Sequence, residues 1–176
     1  DLILTQDLCR VCSIDLDAVR RAAAGMDPRP EILALNPASF EGVLDDVIRV
    51  ARAIGSEDAG RAAVVALRER LHRAADHVSM FADPIPTLFM EWTDPVYVGG
   101  HWTPQLIERA GGAHILNPTE PIPGAGAGAA AQGSFREAGP SRRVTIEEIV
   151  ESAPQAIIIA PCGLALDAVR AEARIL

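Results

Sequence analysis

Ser39-Phe40-Glu41-Gly42-Val43-Leu44-Asp45-Asp46-Val47-Ile48-Arg49-Val50-Ala51-Arg52-Ala53-Ile54-Gly55, followed at once by Ser56-Glu57-Asp58-Ala59-Gly60-Arg61, decides the architecture of this chain. Phe40, Val43, Leu44, Val47, Ile48, Ala51 and Ile54 fall at steps of three and four, which is one face of a helix. Ser39 stands where an N-cap belongs and Gly55 where a helix stops. Ser56 opens a second helix through Ala59, Ala63, Leu67 and Leu71, extending toward Met80, and its many Arg and Glu residues predict an exposed outer face. Two helices in succession, with strands on both sides of them, describe a chain that leaves one lobe, crosses on a helix and builds another.

Upstream, Asp1–Thr5 and Glu31–Leu35 read as strands around a short helix from Leu16 to Ala24. A strand at the very start reads as the interior of a longer chain. Downstream, Asp83-Pro84-Ile85-Pro86 is a turn, and Thr87–Trp92 is a strand. Thr103-Pro104 then opens a helix as cap and first-turn proline, which Gly111-Gly112 ends, and Ala113–Leu116 reads as a short strand. Thr145-Ile146-Glu147-Glu148 is a capping box, Ala156–Ala160 a strand apolar on both faces as in the middle of a parallel sheet, and Leu166–Ile175 a last amphipathic helix. Alternating strands and helices predict an α/β fold: two lobes with parallel sheets flanked by helices, joined by a single connecting helix, the first lobe incomplete. The expected divisions are 1–38 for the remainder of the first lobe, 39–55 for the connecting helix and 56–176 for the second lobe. Residues 118–139, with Gly124-Ala125-Gly126-Ala127-Gly128-Ala129 at their centre, read as a flexible insertion.

Composition narrows function. The net charge is −8, with no run of basic residues, so the chain lacks the basic face that nucleic acid requires. No apolar stretch approaches the roughly 20 residues of a membrane span. No G-x-S-x-G nucleophile turn is present, the Gly alternation at 124–128 follows no strand, and no Gly-Lys-Ser/Thr follows it, which removes the dinucleotide and P-loop readings. Three cysteines are too few for a disulfide scaffold.

Of the seven aromatic residues, four (Phe89, Trp92, Tyr97 and Trp102) fall within one strand and the loop after it. Phe89 is expected in the core. Nothing about folding demands the other three, and such a surface suits a large flat apolar ligand or a protein contact. Cys9, Cys12, Cys162 and His101 together form a sensible zinc or iron set, the basis of an enzyme reading. A ligandless interaction domain built on the loop 92–102 also stays open.

The run Asp1-Leu2-Ile3-Leu4-Thr5-Gln6-Asp7-Leu8-Cys9 with Cys12 resembles a segment of the cobalamin-binding type of periplasmic protein, in the helical-backbone class of ABC-transporter substrate-binding proteins that also takes haem and ferric chelates. Glu91-Trp92-x-Asp94-Pro95 followed by Gly99-Gly100-His101-Trp102, then Ser141-Arg142-x-Val144-Thr145, and Ile159-x-Pro161-Cys162-Gly163 are similar to later segments of that family. The Gly/Ala insertion departs from the pattern. The resemblance implies a non-enzyme with no cofactor of its own, whose ligand is cobalamin, haem or a ferric siderophore held between lobes that close little. It implies a permease as partner and a periplasmic or cell-surface location. Transferred by position, the ligand-binding residues are Trp92, Tyr97, His101, Trp102, Cys162, Gly163, Gln6 and Cys9. It also implies that most of the first lobe precedes Asp1 and that a terminal piece follows Leu176.

Overall fold

A computed structural model describes residues 1–8, 15–79, 81–124 and 136–174. The chain divides into two compact units, Asp1–Arg70 and Leu71–Leu176.

In the first unit β1 (Leu2–Thr5) lies parallel to β2 (Glu31–Ala34), with Leu2 opposite Glu31 and Thr5 opposite Ala34. The helix α1 (Leu16–Ala23) comes between them in sequence, and the Asp15 carboxylate caps it by accepting from the Asp17 N–H at 3.0 Å. The expected Ser39 cap forms: its hydroxyl accepts from the Gly42 N–H at 3.1 Å and starts α2 (Phe40–Ala53). That helix buries Phe40, Leu44 and Ala51, and Gly55 turns the chain out of it at φ 71°. The next helix, α3 (Glu57–Ala75), stops short of Met80, which itself lies outside the described residues.

Both α2 and α3 as far as Arg70 cluster with β1 and β2. The two helices approach closely. A Cβ on Gly60 of α3 would overlap that of Ala51 on α2, so only glycine permits the contact. Arg52 to Glu57 at 3.1 Å and Arg68 to Glu41 at 2.5 Å tie the two helices along their length.

The second unit is built on β3 (Ile85–Thr93), followed by β4 (Val96–Val98), α4 (Thr103–Arg109), β5 (Gly112–His114), β6 (Glu120–Pro121), β7 (Arg136–Glu137), β8 (Arg142–Arg143), α5 (Ile146–Ser152), β9 (Ala156–Ile159) and α6 (Leu166–Glu172). β5 and β9 both run parallel to β3, as the alternation of elements predicted. β4 folds back antiparallel on β3, β8 adds antiparallel to β4, and β6 pairs with β7 as a separate small ribbon. The sheet is therefore mixed. Leu88, Met90, Val96, Val98 and Val144 form the core, with Leu116, Ile149 and Ile159 packed against them.

Two local expectations are corrected. β9 is not a doubly covered central strand: among the described residues it pairs with β3 alone, and Ile157 and Ile158 are 51% and 43% exposed. An Ile-Ile-Ile run carries no alternation, so its pattern could not separate a central strand from an edge. Thr103 does not cap α4: the helix begins directly after Trp102 with Pro104 in its first turn and no side-chain cap.

The capping box forms as read, with the Thr145 hydroxyl accepting from the Glu148 N–H at 3.2 Å and the Glu148 carboxylate accepting from the Thr145 N–H at 2.8 Å. Thr145→Ala is expected to lower stability by about 1 kcal/mol in urea unfolding, with little change in the folded spectrum.

Candidate functional site

The hairpin β3–β4 decides what the aromatic residues face. Met90 sits opposite Val98, and Trp92 sits opposite Tyr97, with a register shift between the two pairs at Glu91. In an unbroken strand Met90 and Trp92 would share a face. The extra residue reverses the alternation: Met90 joins Val98 in the core, and Trp92 emerges beside Tyr97 on the opposite face. Trp92 is 38% exposed and Tyr97 half-buried. The Trp92 indole N–H donates to the Asp94 carbonyl at 3.0 Å, which holds the ring over the hairpin turn, where the Asp94–Pro95 bond is cis.

β9 brings a second segment to this point. The Cys162 N–H donates to the Glu91 carbonyl at 3.3 Å, so Cys162 and Gly163 lie beside the bulge. Both are exposed, and Gly163 adopts φ 81° in open space. The Thr93 hydroxyl donates to the Glu172 carboxylate, fixing α6 to the end of β3.

His101 and Trp102 occupy the other end of β4, in the turn that enters α4, so the cross-strand pairing of Trp92 with Tyr97 does not include them. Both are half-buried. His101 has φ 55°, a conformation that costs a side-chain-bearing residue energy and that collects at functional positions. Its N–H donates to the Gly139 carbonyl at 2.9 Å. Asn117, buried, completes the lock: its side-chain amide donates to the carbonyls of Gly99 at 3.1 Å and Pro140 at 3.1 Å. Phe89, expected in the core, is half-buried with its ring against Gly99.

Beneath that turn His114 is completely buried. The Asn117 N–H points at its Nδ1 at 3.1 Å and the Phe89 N–H at its Nε2 at 3.3 Å. A neutral imidazole accepts at one nitrogen only, so the ring accepts one of these two hydrogen bonds at a time. Loss of water around the ring pushes its pKa below the ordinary histidine value. Further along, the Glu108 carboxylate accepts from the Thr119 hydroxyl at 2.7 Å, and the Arg136 Nε–H donates to the same hydroxyl at 2.8 Å. This network anchors the described ends of the Gly/Ala insertion.

Of the remaining sequence-derived positions, Gln6 is exposed just after β1, where the neighbouring Asp7 N–H donates to the Asn36 side chain at 2.7 Å. Cys9 and Cys12 lie outside the described residues, as does most of the Gly/Ala stretch. Among the described residues no group of three or more His, Cys, Asp or Glu side chains could hold a metal ion, and no helix is long and apolar enough to cross a membrane. Sequence reasoning passed over Asn117, His114 and Arg143. Asn117 stands at the start of a segment that reads as a loop, and His114 within the short strand read over Ala113–Leu116. Arg143 belongs to a two-residue strand, too short to show any period.

No protein-family model matches the sequence, and no curated protein does. Solved structures do match. The periplasmic vitamin B12 binding protein of Vibrio cholerae superposes with a TM-score of 0.59 at 17% identity, covering 98% of this chain and 60% of its own. A periplasmic heme binding protein from Pseudomonas aeruginosa gives 0.64 at 19% identity, covering 98% of this chain and 55% of its own. The chain has the fold of periplasmic binding proteins. A third solved structure, of an ABC-type Fe3+-hydroxamate transport system from Saccharomonospora viridis, gives 0.64 at 18% identity over 100% of this chain and 55% of its own. At such identities the likeness to periplasmic binding proteins is one of fold, and the chain spans between half and two thirds of their length.

Proposed function

We propose that this chain belongs to the substrate-capturing component of an ABC-type uptake system, and that it binds a cobalamin, haem or ferric chelate rather than transforming one. The observation that carries this is the bulge at Glu91, which turns Trp92 out of the core and sets it beside Tyr97 on a sheet face. An indole removed from the core and given to a surface is a poor use of apolar area unless something covers it. The three known proteins of this fold named above bind, or belong to systems that transport, large chelates, which supports the same reading.

In this proposal Trp92 and Tyr97 supply the flat contact surface, Cys162 and Gly163 border it, and His101 and Trp102 contribute from the far end of β4. The ligand is delivered to a permease, and the protein works in the periplasm or at the cell surface. It needs no cofactor of its own.

Tryptophan fluorescence tests the idea. Titration with cobalamin, haem and a ferric siderophore, corrected for absorbed light, is expected to give saturable quenching with at least one of them. Trp92→Ala is expected to weaken that ligand at least tenfold while leaving the thermal midpoint within a few degrees, because the indole is not part of the core. Absence of quenching by all three ligands sinks the proposal.

A further inference from the structure

The row that holds Trp92 and Tyr97 continues onto a third strand. Tyr97 of β4 sits directly opposite Arg143 of β8, so Trp92, Tyr97 and Arg143 lie side by side across three adjacent strands. Directly opposed residues project from the same face of a sheet. The neighbouring arginine faces the other way: Arg142 is opposite Val98, and its guanidinium donates to the Leu116 carbonyl at 2.8 Å and to Glu148 at 3.0 Å. Arg143 is exposed, and among the described residues its guanidinium makes no hydrogen bond or ion pair. The chain carries 24 acidic residues against 16 basic ones, yet among the described residues no carboxylate pairs with this cation beside the aromatic pair.

We infer that Arg143 is the specificity-determining residue of the aromatic face and selects a flat ligand that carries a carboxylate at its edge. This rests on the aromatic face being the ligand surface, as proposed above. The spacing supports an extended ring over a small acid, because three adjacent strands place Arg143 about 10 Å from Trp92 along the row. Two aromatic side chains hold the apolar plane, and a planar guanidinium at the end of the row matches a carboxylate through paired N–H donors. A ligand with only neutral amide substituents gains nothing from that cation.

Iron protoporphyrin IX, which bears two carboxylates, and its dimethyl ester, which bears none, separate charge from shape. Both are titrated into the chain and into Arg143→Gln, with tryptophan quenching as the readout. The expected result is a loss of about tenfold in affinity of Arg143→Gln for the dicarboxylate. The ester is expected to bind both proteins equally, and the thermal midpoint to stay the same. Equal weakening of both porphyrins, or no weakening of either, overturns the charge inference while leaving the aromatic face intact if Trp92→Ala still weakens porphyrin binding at least tenfold. Failure of the unsubstituted chain to bind either porphyrin overturns the inference, and overturns its premise as well when cobalamin and the ferric siderophore also fail to quench.

Discussion

Gly100→Ala is expected to destabilise the second unit by about 3 kcal/mol, a large effect for one methyl group. Gly100 is buried, and a Cβ built on it would overlap the Gly139 carbonyl oxygen, the Pro140 carbonyl carbon and the Ser141 nitrogen. All three are backbone atoms, so no side chain can swing aside to make room. The turn and the 139–141 segment are also held together from both flanks, by the His101 N–H on the Gly139 carbonyl and by the Asn117 amide on Gly99 and Pro140. Accommodating the methyl group means breaking some of those bonds inside a buried site. Urea unfolding followed by tryptophan fluorescence measures the loss. Gly25→Ala is the control, since a Cβ there meets nothing within 4 Å, and its expected change is under about 1 kcal/mol. Equal stability of the two variants would mean that the turn yields more readily than its packing indicates.

Acid sensitivity centred on His114 is the second large effect. The ring is buried and neutral, and its folded pKa lies below the ordinary value near 6.5 that it regains on unfolding. Between those two values the unfolded chain binds more protons than the folded one. Stability is therefore full above about pH 6.5 and falls as the pH drops toward the folded pKa. Protonation also places an N–H on both ring nitrogens, against the N–H groups of Asn117 and Phe89, so the one accepted hydrogen bond becomes a repulsion. From the surrounding elements the charged groups that bear on the ring are Glu108 of α4, which favours the proton, and Arg142 of β8, which opposes it. The carboxylates held low by bonding, Glu147 and Glu148, act at lower pH, since stability tied to them is lost only as the pH falls through their depressed values. His114→Leu is expected to flatten the curve between pH 6.5 and the folded pKa, and to cost about 2–3 kcal/mol at neutral pH, because buried N–H groups then face a hydrocarbon. An unchanged pH profile in that variant would remove His114 as the source.

Long periodic segments were legible before the structure. The helical face from Phe40 to Ile54, the strands Asp1–Thr5 and Glu31–Leu35, the Ser39 cap and the Thr145/Glu148 box lie within a residue or two of where their patterns put them. So did the α/β character, because parallel strands joined through helices leave a strong alternation of periods. The hairpin did not. β4 has three residues and β8 two, and a period of two is invisible at that length. The stretch 93–102 therefore read as one loop when it contains a strand. Trp92, Tyr97 and Trp102 were singled out for being aromatic where folding did not require it, yet their grouping in sequence did not become a single cluster in space. Trp92 and Tyr97 met across the hairpin, while His101 and Trp102 went to its other end. Arg143 was missed for the same reason that β8 was. Asn117 was missed because an Asn-Pro pair reads first as a loop start, and its three-segment clasp depends on carbonyls far away in sequence.

The bulge at Glu91 has a meaning for how this surface changes under mutation. On either side of it, alternate residues of one strand answer to different demands: before it, Leu88 and Met90 to the core, and after it, Trp92 to whatever the face meets. Substitutions at 92, 97 and 143 therefore change the character of that face without repacking the interior, where Leu88, Met90, Val96, Val98 and Val144 stay as they are. Deletion of the single residue 91 keeps the same division: Trp92 then follows Met90 directly, and regular alternation alone sets it opposite Tyr97, away from the core face of Met90 and Val98.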